Sequence, residues 1–134
     1  MNYVIENPVR WLNRMSRDFN SGQGNNGQYP IRMDAFEEKD KFEIVAELPG
    51  MNKNDISIKV DSDVLTISGE KKKSEREGRE VWSERFHGEF TRSFRLPDSI
   101  DKSGVSADYK DGLLIISLPK KEELKPRNIE VKVN

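Results

Sequence analysis

Residues 107–120, which read Ala-Asp-Tyr-Lys-Asp-Gly-Leu-Leu-Ile-Ile-Ser-Leu-Pro-Lys, carry the clearest structural signal in the chain. Asp111 and Gly112 predict a two-residue hairpin turn, because both residues tolerate the positive φ that such a turn requires. The nearly continuous apolar run that follows, residues 113–118, is typical of a strand covered on both faces. Pro119 should end this strand, since proline has no backbone N–H for the ladder. A hairpin of this kind needs further strands to cover it.

Further strands are predicted on the N-terminal side of the turn. Val105, Ala107 and Tyr109 alternate with polar residues, as in a strand with one buried face. Other alternating or apolar runs occupy residues 41–48, 55–61, 64–68 and 90–97, and the turn signals Pro49-Gly50, Ser62-Asp63 and Gly69 close the first three. Short strands at this regular spacing predict an all-β fold, either an antiparallel β-sandwich or a barrel.

The composition predicts one domain with a small hydrophobic core, a highly charged surface and flanking arms. The chain has 134 residues, of which 34% are hydrophobic and 35% are charged. With 23 basic and 24 acidic side chains the net charge is -1, which gives no electrostatic footprint for a nucleic acid. There is no run of 18–20 apolar residues and no signal-peptide core, so we expect a cytoplasmic protein with no stable membrane association.

Catalysis and cofactor binding are not predicted. The chain has no cysteine, which excludes disulfides, thiolate nucleophiles and zinc–thiolate sites. His87 is the single histidine, and beside Gly88 it is most simply a turn residue. No Ser-His-acid arrangement, metal-ligand cluster or glycine-rich phosphate loop is visible, so we expect no catalytic residues, no metal site and no nucleotide-driven action.

The chain divides into an N-terminal arm at 1–32, a β-domain at 33–120 and a C-terminal extension at 121–134. In the arm, Asn7-Pro8 is a helix-start signal. The residues after it place Val9, Leu12, Met15 and Phe19 on one side of a helix and Arg10, Arg14 and Arg17 on the other. Residues 20–28 have a linker-like composition. The apolar side could contact other chains or clients, its own domain, or a membrane surface.

Residues 70–80 hold nine charged side chains in eleven positions, which predicts a projecting loop. Val81, Trp82 and Phe86 follow at once, although large apolar side chains are not expected on a fully solvated loop. An arm that reaches another subunit explains this pattern best. The alternative is that Val81 and Trp82 fold back on their own sheet.

Arg92 is predicted to lie on the same strand face as Phe90 and Phe94. An arginine on an apolar face must pair with a carboxylate or with carbonyls, because a lone buried charge is too costly. We therefore interpret Arg92 as a structural ion-pair residue at a subunit interface. Arg95 faces the other way and should be solvated.

The chain ends in a second alternating segment, in which Ile129, Val131 and Val133 share one side. It follows a charged tether at residues 121–126. A terminal strand on such a tether could close its own sheet edge or dock in a groove on a neighbour.

Five segments, at 46–51, 64–70, 84–97, 107–120 and 129–131, together resemble the small heat-shock proteins of the α-crystallin family. They read Ala-Glu-Leu-Pro-Gly-Met, Val-Leu-Thr-Ile-Ser-Gly-Glu, Glu-Arg-Phe-His-Gly-Glu-Phe-Thr-Arg-Ser-Phe-Arg-Leu-Pro, the hairpin quoted above and Ile-Glu-Val. The match covers roughly residues 31–134 and keeps the family's order.

The resemblance implies an immunoglobulin-like sandwich that dimerises and builds larger homo-oligomers. It implies that Val81 and Trp82 form a small strand that pairs with a partner's first strand near residues 33–37, and that Arg92 lies at the dimer interface. The expected dimer-interface residues on the first strand are Met33, Ala35 and Phe36.

The resemblance also assigns a role to the C-terminal extension. Ile129 and Val131 match the family's Ile-X-Ile/Val motif, which fills an apolar groove on a neighbouring dimer; Val133 leaves the register 131/133 open as an alternative. The expected groove residues are Ile56, Ile58, Val60, Val105, Ala107 and Tyr109.

The implied activity is ATP-independent holding of unfolding proteins during heat or other stress, by a dynamic homo-oligomer. A mobile arm could cover varied apolar surfaces on clients while the charged shell keeps the complex soluble. The expected client-binding residues are Ile5, Trp11, Leu12, Met15 and Phe19. The rival interpretation is a monomeric β-sandwich co-chaperone or adaptor resembling the p23 family, which should lack both the strand-carrying loop and the docking tail.

Overall fold

A computed structural model describes residues 30–122 and 129–133 of the chain. Its elements are β1 (Arg32–Glu37), β2 (Lys41–Glu47), β3 (Ile56–Asp61), β4 (Val64–Lys71), β5 (Gly88–Arg95), β6 (Ser106–Lys110) and β7 (Leu113–Pro119), with 3-10 helices at Lys53–Asp55 and Lys102–Gly104. The strands form a four-stranded sheet in the order β1-β2-β7-β6 and a three-stranded sheet in the order β3-β4-β5. Every pairing is antiparallel. The prediction of an all-β, immunoglobulin-like antiparallel sandwich is confirmed, and the predicted helix of the N-terminal arm lies outside the described residues.

The hairpin at 107–120 forms as predicted. Asp111 and Gly112 both have positive φ, 56° and 78°, and Lys110 pairs with Leu113 across the turn. β7 pairs with β2 on one edge and β6 on the other, so it is an interior strand. Only one of its faces is fully buried, however, because the side chains at 113 and 115 point away from the second sheet and stay half-buried.

The core lies between the two sheets and is built by period-two alternation. Its most buried side chains come from β2, β4, β5 and β7, where every second residue points inward. They are Phe42, Ile44, Ala46, Leu65, Ile67, Phe90, Phe94, Leu114, Ile116 and Leu118, with Leu48, Leu96 and Ile100 from the connections. The inward positions are those predicted from the alternation along residues 41–48 and 64–68.

The sequence prediction is wrong at Gly69, which does not end its strand. β4 continues through Gly69 to Lys71 and pairs with β5 over its whole length. The structure gives this glycine a packing role instead. A Cβ atom here would overlap the backbone carbonyl oxygen of Asp55 and would lie 2.7 Å from Cζ of Phe90. The missing side chain therefore allows both the Asp55 carbonyl, just before β3, and the Phe90 ring of β5 to approach β4 closely.

Gly69→Ala is expected to lower the free energy of unfolding by about 3 kcal/mol, because the new methyl group meets backbone on one side and a buried ring on the other. Urea unfolding followed by circular dichroism, at matched protein concentration, measures the change. Ser68→Ala, at the half-buried neighbouring position, is the control and should stay within about 0.5 kcal/mol of the parent. Equal stability of the two variants would contradict the packing role of Gly69.

Candidate interaction surfaces

The loop between β4 and β5 projects from the end of the three-stranded sheet. It spans residues 72–87, because β4 and β5 stay paired until Lys71 and Gly88. Val81 and Trp82 are each 77% exposed, and Phe86 is also exposed. The alternative in which these residues fold back on their own sheet is therefore wrong. In the described part of the chain this loop carries the largest apolar side chains that lack cover.

An ion pair joins the two sides of this loop. Lys73 and Glu80 form a salt bridge across it. The hydrogen bond from Lys73 lowers the pKa of the Glu80 carboxyl, and the charge of Lys73 and the Ser83 hydroxyl act in the same direction. The salt bridge thus links the two sides of the loop, while Val81 and Trp82, which directly follow Glu80, face solvent.

Lys71 is buried, although the sequence predicts that it belongs to the projecting charged loop at residues 70–80. It is only 7% exposed, and burial lowers the pKa of its ammonium, with Arg85 adding to the effect. The signal was the alternation of β4, since Leu65, Ile67, Gly69 and Lys71 share the inward face.

The first strand offers a free edge for pairing. β1 is the outer strand of the four-stranded sheet and pairs only with β2 in the described part of the chain. Of its predicted interface residues, Met33 and Ala35 are half-buried and pack against the core of their own chain. Phe36 points outward and is 51% exposed. Within one chain, Val81 and Trp82 form no strand pairing with β1.

Arg92 lies on the inward face of β5 with Phe90 and Phe94, as predicted from the alternation. Its Nη1 donates a hydrogen bond to the backbone carbonyl of Ile31, at 3.3 Å, just before β1 begins. This carbonyl contact links the edge strand of one sheet to the edge strand of the other. Arg95 is exposed, as predicted, and its Nε lies 3.3 Å from Oδ2 of Asp63.

The two predicted groove strands, β3 and β6, are edge strands of opposite sheets. The Tyr109 hydroxyl of β6 donates to the Leu48 carbonyl and accepts from the Met51 amide, in the segment that leads into β3. β3 and β6 therefore border the same side of the sandwich.

This side of the sandwich is incompletely closed. Ile56, Ile58 and Tyr109 are half-buried against the core, and Val105 precedes β6 with similar burial. Val60 and Ala107 are exposed although they share the inward alternation of their strands. The prediction that the 105–109 strand has one buried face is thus wrong at Ala107, because the second sheet does not cover this edge.

The C-terminal extension exposes its apolar residues. Ile129 is 82% and Val131 is 83% exposed, and Val133 is more exposed still. The structure brings none of the three into the opening between β3 and β6 of the same chain. The residues of both predicted registers, 129/131 and 131/133, therefore face solvent in the isolated chain. The five predicted client-binding residues of the N-terminal arm lie outside the described residues.

The described residues contain no group of three or more His, Cys, Asp or Glu side chains that could hold a metal ion. His87 directly precedes Gly88, whose φ of 125° bends the chain into β5. Over the same ranges, no helix has both the length and the apolar character needed to cross a bilayer.

Known proteins resemble this chain along most of its length. The model of the Hsp20/alpha crystallin family matches residues 34–133. A small heat shock protein C4 from Rickettsia felis is 38% identical over 109 residues, which span 80% of this chain and 67% of the relative. Heat shock protein 16 from Schizosaccharomyces pombe is 40% identical over 101 residues, spanning 72% of this chain and 71% of the relative.

Solved structures of other proteins are also similar to this chain. A small heat-shock protein from Xylella fastidiosa, for which a distinct high order structure is described, superposes with a TM-score of 0.67 at 38% identity and covers 79% of this chain and 99% of its own. Heat shock protein 16.0 from Schizosaccharomyces pombe gives 0.64 at 35% identity, with coverages of 78% and 97%. Together with the sandwich, the projecting loop and the apolar tail, these matches show that the chain belongs to the Hsp20/alpha crystallin family of small heat-shock proteins, which are non-enzymatic chaperones.

Proposed function

We propose that this chain is an ATP-independent holdase that binds unfolding proteins and prevents their aggregation, acting as a dynamic homo-oligomer. The observation that supports this most is the set of large apolar side chains exposed outside the sandwich. They are Val81, Trp82 and Phe86 on the loop and Ile129, Val131 and Val133 on the tail. Exposed apolar segments on an otherwise charged surface are the usual mark of protein–protein contact.

Dimerisation in this proposal uses the loop and the free edge of β1. Val81 and Trp82 of one subunit add a short strand to β1 of the other, with main-chain hydrogen bonds supplying affinity. Phe36 provides exposed apolar surface beside that edge. Arg92, through its contact with the Ile31 carbonyl, holds the entry of β1 against β5.

Assembly beyond the dimer uses the tail. Ile129 and Val131 of one dimer enter the opening between β3 and β6 of a neighbouring dimer. Ile56, Ile58 and Tyr109 line that opening with half-buried side chains, and Val60 adds an exposed one. An extended segment with alternating apolar residues suits such an opening, because alternate side chains point into it.

Client binding is proposed for the N-terminal arm through the apolar residues named above. The test is the heat-induced aggregation of an unstable client enzyme, followed by light scattering with and without ATP. The intact chain should suppress scattering equally in both. Leu12→Ser/Met15→Ser should weaken suppression, whereas Arg10→Ser/Arg14→Ser, on the opposite predicted side, should not. Suppression that needs ATP, or none at all, would overturn the holdase proposal.

A further inference from the structure

The outer face of the four-stranded sheet carries an apolar patch. Val45 of β2 and Ile115 of β7 are directly opposed in the register, and Leu113 lies two residues from Ile115 on the same face. All three are half-buried although they point away from the core. We call these three residues the outer patch.

The second sheet lacks such a patch in its central rows. Each of these rows holds one outward side chain from β3, one from β4 and one from β5, and all of them are polar. In that strand order, one row is Ser57, Ser68 and Thr91, and the next is Lys59, Thr66 and Ser93. The Thr66 and Ser93 hydroxyls lie 2.9 Å apart and hydrogen-bond to each other. An antiparallel sheet that faces water normally alternates apolar-in and polar-out. The central rows of the second sheet obey this rule, whereas the first sheet departs from it at the outer patch, which indicates that something covers the patch.

The outer patch lies at the end of the sheet where the N-terminal arm enters. Ile31 is buried, and β1 begins at Arg32, in register with Glu47 of β2, which in turn pairs with Leu113 of β7. A depression of about 460 Å³ opens at the same place. Its lining residues are Arg32, Met33, Asp34, Val45, Glu47 and Leu113.

The dimensions of the arm suit this face. A helix over residues 8–19 would be about 18 Å long, and the outer strands of a four-stranded sheet lie about 14 Å apart. The segment from residue 20 to residue 30, which includes the linker-like residues 20–28, would span roughly 17–20 Å on average as a random coil. The arm can therefore reach the outer patch without stretching, and a tether of this length gives an effective concentration on the order of millimolar.

We infer that residues 8–19 of the arm pack the side carrying Val9, Leu12, Met15 and Phe19 onto the outer patch of their own chain. The inference rests on the proposed function in one respect: the covered residues include those proposed to bind clients, so docking competes with client binding. Docking on the sheet face leaves the free edge of β1 available, because a face contact uses side chains and strand addition uses the backbone.

Because the chain has no cysteine, pairs of introduced cysteines test the inference directly. Met15→Cys/Val45→Cys is expected to form an intrachain disulfide in mild oxidant, visible as a faster monomer band on a non-reducing denaturing gel. Met15→Cys/Ser93→Cys is the matched control, since Ser93 is exposed on the outer face of the second sheet. The yield should be at least about tenfold higher for the first pair, given the effective concentration of a docked arm.

Two other outcomes overturn the inference. A covalent dimer from the Met15→Cys/Val45→Cys pair would mean that the arm of another subunit covers the patch. Equal yields from the two pairs would mean that the arm has no preferred face.

A second readout separates this inference from the holdase proposal. The oxidised Met15→Cys/Val45→Cys protein should suppress client aggregation less than the same protein after reduction. If the unmodified chain fails to suppress aggregation while the intrachain disulfide forms in the variant, the holdase proposal falls and the docking stands. If suppression is the same in both states, docking does not compete with client binding and that part of the inference is wrong.

Discussion

Ile129→Ala/Val131→Ala is expected to reduce the protein from a large assembly to dimers. Both side chains are more than 80% exposed in the isolated chain, so the substitutions remove nothing from the core. Burying each in a neighbour's groove would contribute about 1.5–3 kcal/mol, and the pair is used once for every subunit. Loss of both weakens each docking contact by roughly two to four orders of magnitude. Light scattering on a sizing column measures the mass of both proteins.

The matched control is Val133→Ala, which removes the next apolar residue of the same alternation. It should leave the assembly intact if the 129/131 register is used. If the large assembly is lost only in Val131→Ala/Val133→Ala, the tail docks in the 131/133 register. An unmodified chain that is monomeric would contradict both the loop and the tail models and would favour the monomeric co-chaperone.

Trp82→Asp, made in the Ile129→Ala/Val131→Ala background, is expected to convert dimers into monomers. Trp82 is 77% exposed and does not contribute to the core of its own chain, so the sandwich should stay folded. At a dimer interface the aspartate would lose the burial of the indole and would also be desolvated, which together cost about 3 kcal/mol or more. The dimer dissociation constant should rise at least about 100-fold, as measured by sedimentation velocity over a range of concentrations.

Ser74→Asp provides the control for charge, because it adds the same carboxylate to an exposed position of the same loop. It should leave the dimer intact. If Trp82→Asp also leaves the dimer intact, Trp82 is not at the dimer contact, and the free edge of β1 must be used in another way.

Local sequence signals predicted the parts of the fold that depend on a few neighbouring residues. The turn at Asp111 and Gly112 follows from the positive φ that both tolerate, and the burial of Ile44 and Leu65 follows from period-two alternation. The inward placement of Arg92 follows from the same rule. The resemblance to the small heat-shock proteins then pointed to Val81 and Trp82 on the loop and to the apolar residues of the tail, all of which are exposed in the structure.

The errors fall where residues distant in sequence meet. The sequence predicts a strand end at Gly69, but its role depends on Asp55, in the 3-10 helix just before β3, and on Phe90 of β5. Lys71 looked like part of a solvated charge run, but pairing with β5 continues that far and buries it. Ala107 looked inward-facing and buried, but it stays exposed because β6 is an edge strand.

The sequence by itself determined the class of the fold, the alternation of each strand, the hairpin turn and the family. These depend on backbone preferences and side-chain periods that act within a few residues. Only the tertiary structure decided which strands are edges, how far β4 runs, and that β3 and β6 border one incompletely closed side of the sandwich. It also revealed the apolar outer patch, whose three residues come from two strands separated by most of the domain. Strand order and surface patches depend on which distant segments pair, and a local pattern does not encode that choice.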